Sequence, residues 1–237
     1  MAGRAERQHR VHTTKGPALA LEPGGAVSSA STPDTSPRGA AGAAAFAAAY
    51  FRKLTTLLSQ VDTGAIATVA QALLDARERG ARVFVFGNGG SAATASHFAN
   101  DIGIGTRTWD RPFRIVSLSD NAAILTAIAN DYGYDQVFTR QLATQMLPGD
   151  VVIAISASGN SANVVAAVEY ANRAGGVTVG LTGFDGGRLR RIAQLRVHVP
   201  TGKGEYGPVE DVHMVLDHLL GGYLLQACQP PLATARP

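Results

Sequence analysis

Five short runs of apolar and β-branched residues recur along the chain at Val83–Phe86, Phe113–Leu118, Val151–Ile155, Val177–Leu181 and Leu195–Val199. Helical patterns separate them, at 91–103, at 121–129 with 134–147, at 161–174 and at 186–193. The runs are largely apolar rather than alternating, as strands covered on both faces must be. Parallel strands joined by helical crossovers wind right-handed, because only that hand packs each helix back onto its own sheet. The expected fold class is therefore α/β, a three-layer αβα sandwich around a five-stranded, mostly parallel sheet. A last helix at about 208–227 closes the domain.

Two helical patterns precede the first strand. The stretch "AAFAAAYFRKLTTLLSQV" carries Phe46, Tyr50, Leu54, Leu57 and Leu58 as one apolar stripe at helical spacing. A second helix is expected at about 63–79, opened near Asp62 and Thr63 and stopped before Gly80. Together they form an N-terminal helical arm available to a neighbouring molecule. Residues 1–43, rich in Gly, Ala, Ser, Pro and Thr without periodicity, read as a disordered basic tail. Residues 231–237 read as a flexible C-terminus, which leaves 44–230 as a single domain.

The tail holds five basic against three acidic residues, two of the chain's three net positive charges, so the body is nearly neutral. A nucleic-acid binder carries its basic face on the folded domain, so no such partner is expected. No membrane partner is expected either, because no apolar run approaches the roughly 20 residues of a bilayer span. A single cysteine, Cys228, rules out an internal disulfide framework and suits a cytoplasmic location.

In an open parallel sheet, ligands bind beyond the carboxyl ends of the strands. The loop "SASGNSANV" follows the third strand and places Ser156, Ser158 and Ser161 around a Gly-Asn pair where a helix begins. Free N–H groups at a helix start favour an anion, and hydroxyls add donors without adding charge. Three serines and no lysine suit the phosphate of a sugar phosphate; the nucleotide-binding pattern G-x-x-x-x-G-K-[ST] is absent. An ordinary capped turn would account for one serine, not three. After the first strand, "GNGGSA" contributes Asn88, Gly89 and Ser91. Its glycines match a dinucleotide fingerprint formally, but that reading leaves the serine loop unexplained. Ser119 and Asp131 are further candidates for substrate contact, on segments assigned to loops at the same end of the sheet.

His97 and Asp101 stand four residues apart and so share a helix face. In "PVEDVHMVLDHLL", the polar residues among the apolar ones are Glu210, His213, Asp217 and His218. Glu210 and His218 lie about 80° apart around the helix axis. His213 reads as a structural group and His198 as a packing residue.

In this order and spacing, "GNGGSA…HFAND", "SASGNSANV" and "LTGFDGG" resemble the sugar isomerase (SIS) domain family over about residues 45–226. The late acid/His helix and "ANDYGYDQVF" resemble its phosphoheptose isomerase branch. The resemblance implies a homotetramer with sites at subunit contacts, and phosphate binding by Ser91, Ser156, Ser158 and Ser161. It implies zinc on His97, Asp101, Glu210 and His218, with Asp101 and His218 as the catalytic acid/base pair and Glu210 also near substrate. The reaction would interconvert sedoheptulose 7-phosphate and an aldose, D-glycero-D-manno-heptose 7-phosphate, through an enediol.

Three residues depart from that pattern: Asp101 replaces a glutamate one methylene longer, Ala157 a frequent threonine, and Gly105 a frequent arginine. The alternative is a non-catalytic tetrameric SIS protein acting as a replication-initiation or other regulatory scaffold, which has no need of four ligand-type residues. An isomerase of another sugar phosphate, such as arabinose 5-phosphate, is the third reading.

Overall fold

A computed structural model describes residues 39–229. The disordered-tail and flexible-C-terminus expectations therefore concern residues almost wholly outside it. The elements run α1 (Ala40–Gln60), α2 (Thr63–Arg79), β1 (Arg82–Gly87), α3 (Gly90–Asn100), β2 (Arg114–Ser117), α4 (Ala122–Tyr132) and α5 (Val137–Gln145). They continue with β3 (Val151–Ser156), α6 (Ala162–Arg173), β4 (Val177–Thr182), α7 (Gly187–Ile192), β5 (Leu195–His198) and α8 (Tyr206–Cys228). The first helix opens at Ala40, so the last residues of the 1–43 segment are helical.

All four strand pairings are parallel, in the order β2-β1-β3-β4-β5. Because side chains alternate across a strand, the central strands β1 and β3 feed two separate cores. Val83, Val85, Ile153, Ile155, Val179 and Leu181 pack against residues of α2, α3 and α8, including Leu73, Phe98 and Leu216. Phe84, Phe86, Val152 and Ala154 face the other way, onto Phe138, Leu142, Val164 and Val168 of α5 and α6. This is the three-layer sandwich, with the helical arm joined to the α3/α8 layer through Leu57 and α2.

The chain's direction of growth reverses at β1, whose neighbours β2 and β3 lie on opposite sides. Such a reversal leaves a crevice between the carboxyl ends of β1 and β3, the expected ligand position in an open parallel sheet. The loops after these two strands are "GNGGS" and "SASGNS". No single helix among the described residues is long and apolar enough to cross a membrane.

Candidate active site

The crevice holds a small cavity of about 130 Å³, lined by Asn88, Ser91, Ile155, Ser156, Ala157, Ser158, Ser161, Tyr206 and Glu210. Two helices start there: α3, whose N-cap is Gly89, and α6, whose N-cap is Ser161. The Ser161 hydroxyl makes no capping bond and instead lies 3.4 Å from Ser156 Oγ. Ser156 Oγ accepts from Gly159 N at 3.1 Å, and Ser158 Oγ from Asn160 N at 3.3 Å. Hydroxyls held by their own loop, at two helix N-termini, have the chemistry to receive an anion. A wider cavity of about 410 Å³ shares Ser158 and Tyr206 with it and adds Lys203.

A reciprocal amide pair fixes the two loops to each other. Asn88 Nδ2 donates to Asn163 Oδ1, and Asn163 Nδ2 donates back to Asn88 Oδ1, both at 2.9 Å. Tyr134 adds a third bond, donating to Asn88 Oδ1 at 3.0 Å. Asn163 and Tyr134 were not singled out from sequence; the first reads there as an ordinary residue of a helix's first turn. Ser119 lies outside the cavity and clamps the β1 turn, its hydroxyl donating to Gly87 O and accepting from Gly87 N. Asp131 belongs to the last turn of α4 rather than to a loop, is exposed, and accepts from the neighbouring Asn130 amide.

Farther along α3 and α8 a second cluster forms. His97 Nε2 lies 3.4 Å from Asp101 Oδ1 and 3.3 Å from His218 Nε2; His218 Nε2 is 4.0 Å from Asp101 Oδ2. Asp101 opens a single π-helical turn, Asp101–Gly105, that continues α3; such turns are rare and recur at functional sites. Gly221 of α8 packs beside Asp101, where an added Cβ would stand at an ordinary contact distance of 3.4 Å from Asp101 Cβ.

Asp217 is the fourth carboxylate or imidazole at this place: one ligand atom from each of His97, Asp101, Asp217 and His218 lies within 4.8 Å of the others. Glu210, expected in this set, is not in it. Eight residues of helix turn through only about 80° but also rise about 12 Å, and the rise carries Glu210 away from His218. Its carboxylate instead packs over Gly90 at the start of α3, where any Cβ would collide with it. Burial there, helped by the Asp211 charge, raises the Glu210 pKa.

Asp217 is fully buried, and burial, reinforced by the Asp101 charge, pushes its carboxyl up to about 7. His213, one turn back on α8, is also fully buried, and burial holds it down at about 4, so it is neutral. That fits the structural role expected of it. His198, within β5, lies 3.0 Å from Thr182 Oγ1 through Nδ1, and burial lowers its pKa.

The family model described as the SIS domain matches residues 49–183. The phosphoheptose isomerase of Trichlorobacter lovleyi is 38% identical over 173 residues, covering 73% of this chain and 85% of that protein. The phosphoheptose isomerase of Geobacter metallireducens is 44% identical over 158 residues, 65% of this chain and 84% of that one. The solved phosphoheptose isomerase of Neisseria gonorrhoeae superposes with a TM-score of 0.69 at 31% identity, covering 78% of this chain and 97% of that one.

Proposed function

The chain belongs to the SIS domain family, in its phosphoheptose isomerase branch, and from that premise we propose that it converts sedoheptulose 7-phosphate to D-glycero-D-manno-heptose 7-phosphate. It is a sugar-phosphate isomerase. The observation that carries the finer reading is that a serine-lined cavity and a cluster of imidazoles and carboxylates both draw residues from α3 and α8. Ser91 and His97 are six residues apart on α3, about 9 Å along its axis. That separation suits a sugar whose phosphate lies several carbons from its carbonyl.

In this account Ser91, Ser156, Ser158 and Ser161 take the phosphate, and the N–H groups of the two helix starts share its charge. Asn88 and Glu210 line the path towards the carbonyl end. Asp101 removes the proton from C1 of the ketose, and His218 serves as the acid/base partner that manages the oxygens and the return of the proton at C2. The fit of a metal can be judged from the donors: a tetrahedral site with bonds near 2.0–2.1 Å has edges of about 3.4 Å. His97 lies 3.4 and 3.3 Å from Asp101 and His218, and the third edge, between His218 and Asp101, is longer at 4.0 Å. His97, Asp101 and His218 would hold a zinc ion, which when bound supplies Lewis-acid stabilisation of the negative charge that develops on oxygen.

A regulatory scaffold has no use for convergent donors beside a serine-lined cavity, so the catalytic reading is preferred. Phe46 and Phe51 on α1 are 71% and 66% exposed. They supply an apolar surface for the homotetramer that this reading includes, in a cytoplasmic setting. Assay of the purified chain with sedoheptulose 7-phosphate tests the proposal.

A further inference from the structure

Asp217 is buried to 0% exposure, and neither of its carboxylate oxygens has a hydrogen-bond partner among the described residues. A buried carboxylate without a partner is strongly unfavourable, so such a group is kept where something else compensates it. Two kinds of compensation exist: a proton or a cation. The surroundings of Asp217 favour the second, because one of its oxygens lies within 4.8 Å of ligand atoms of His97, Asp101 and His218. His97 and His218 are half-buried and exposed, whereas Asp217 approaches from the protein interior.

We infer that Asp217 is the fourth ligand that this chain gives to a divalent-metal site made by His97, Asp101 and His218. The inference rests on the metal-assisted isomerase reading above and gives that site a ligand it did not have. Two imidazoles and two carboxylates match the neutral nitrogen and anionic oxygen donors that Zn²⁺ accepts. Two carboxylates also neutralise a dication, so the bound site carries no net charge into the protein interior. Asp101 reaches one methylene less than the glutamate of the resembling enzymes, and a second carboxylate arriving from α8 compensates for that shorter reach. Glu210 is left to the serine cavity.

The test uses the full chain stripped of metal by a chelator and titrated with Zn²⁺ against a chromophoric competitor, with Co²⁺ absorption as a second readout. Wild type should take up one ion per chain, with the intense visible bands of four-coordinate cobalt. Asp217→Asn and Asp217→Leu should each weaken zinc binding at least about tenfold, since loss of even an outer partner costs about 10–100-fold. Glu210→Gln should bind zinc as wild type does. Metal-free Asp217→Leu should melt no lower than metal-free wild type, but its rise in melting temperature on adding zinc should shrink. That separates loss of a ligand from loss of fold. Wild-type zinc affinity in both Asp217 variants, or a loss confined to Glu210→Gln, overturns the inference. If wild type isomerises the ketose while the Asp217 variants keep full zinc affinity, the inference fails and the function stands. If Asp217 governs zinc affinity but no ketose phosphate turns over, the function fails and the inference stands.

Discussion

The Nε2 atoms of His97 and His218 lie 3.3 Å apart, with their rings edge-on at 76°, although 121 residues separate them in sequence. Neutral imidazoles can share that contact as donor and acceptor, whereas two imidazoliums would repel. The pair exists because α3 and α8 pack closely through Ala95, Phe98, Val212 and Leu216 of one core. Gly221 of α8 packs beside Asp101 at this contact. Packing thus brings together what the chain order keeps apart.

Asp101→Asn keeps the shape of the side chain and removes its basicity, and His218→Ala removes the partner imidazole. Each should lower kcat by about 10²–10⁴-fold, the usual weight of a positioned acid or base. Circular dichroism, melting temperature and oligomer size should stay at wild-type values. Full turnover in either variant contradicts the assigned roles.

Ser161 occupies the N-cap of α6 without making a side-chain capping bond. Ser161→Ala should therefore lose less stability than the typical ~1 kcal/mol of a lost cap. If its hydroxyl serves the phosphate, KM should rise severalfold with kcat little changed. A KM unaltered by this substitution removes Ser161 from the phosphate site.

Asn163 is 3% exposed and locked into the reciprocal pair with Asn88. Asn163→Ala leaves the Asn88 amide short of a partner and should cost about 1–3 kcal/mol of stability. Because Asn88 lines the cavity, KM should rise as well. Denaturant unfolding and initial-rate kinetics measure the two effects.

How much of this was legible in sequence depended on the kind of signal. Strand positions were readable because Val83–Phe86 and Val151–Ile155 must be apolar on both sides, and β1 and β3 extend them by at most a residue at either end. The second helix was readable to the residue because Asp62 and Gly80 punctuate it, the Asp62 carboxylate accepting from Gly64 N and Ala65 N. His97, Asp101 and His218 were readable as a set through their resemblance to a family. Asp217 was not, because an acid on an amphipathic helix reads as a surface position until its helix is docked. Glu210 is placed on the metal by the resemblance alone, and here the rise of about 12 Å over eight helical residues leaves it outside the group formed by His97, Asp101, Asp217 and His218. Asp131 falls between the helical patterns read at 121–129 and 134–147 and so was assigned to a loop; α4 runs through it to Tyr132 and stops at Gly133.

His213 is fully buried with neither ring nitrogen in a well-formed hydrogen bond among the described residues. Burial lowers its pKa to about 4, and the nearby Thr182 backbone opposes this only in part. The unfolded chain therefore binds a proton between about pH 6.5 and 4 that the folded one refuses, so stability falls with pH across that window. The loss should approach about 3 kcal/mol near pH 4. His213→Gln should flatten this segment of a stability–pH curve measured by urea unfolding.

Phe46 and Phe51 expose large aromatic surfaces on α1. If they form the interface of the proposed tetramer, replacing both by serine should shift the sedimentation profile to smaller species, since each such side chain contributes about 1.5–3 kcal/mol when buried. A tetramer that survives the double substitution places the interface elsewhere.

The most direct test is an assay of the metal-replete full chain against a panel of ketose phosphates in D2O, with products separated and read by NMR. The account predicts that sedoheptulose 7-phosphate is the preferred substrate, that an aldoheptose 7-phosphate is formed, and that solvent deuterium appears at its C2. No turnover of sedoheptulose 7-phosphate, with no deuterium exchanged into it, would contradict the account.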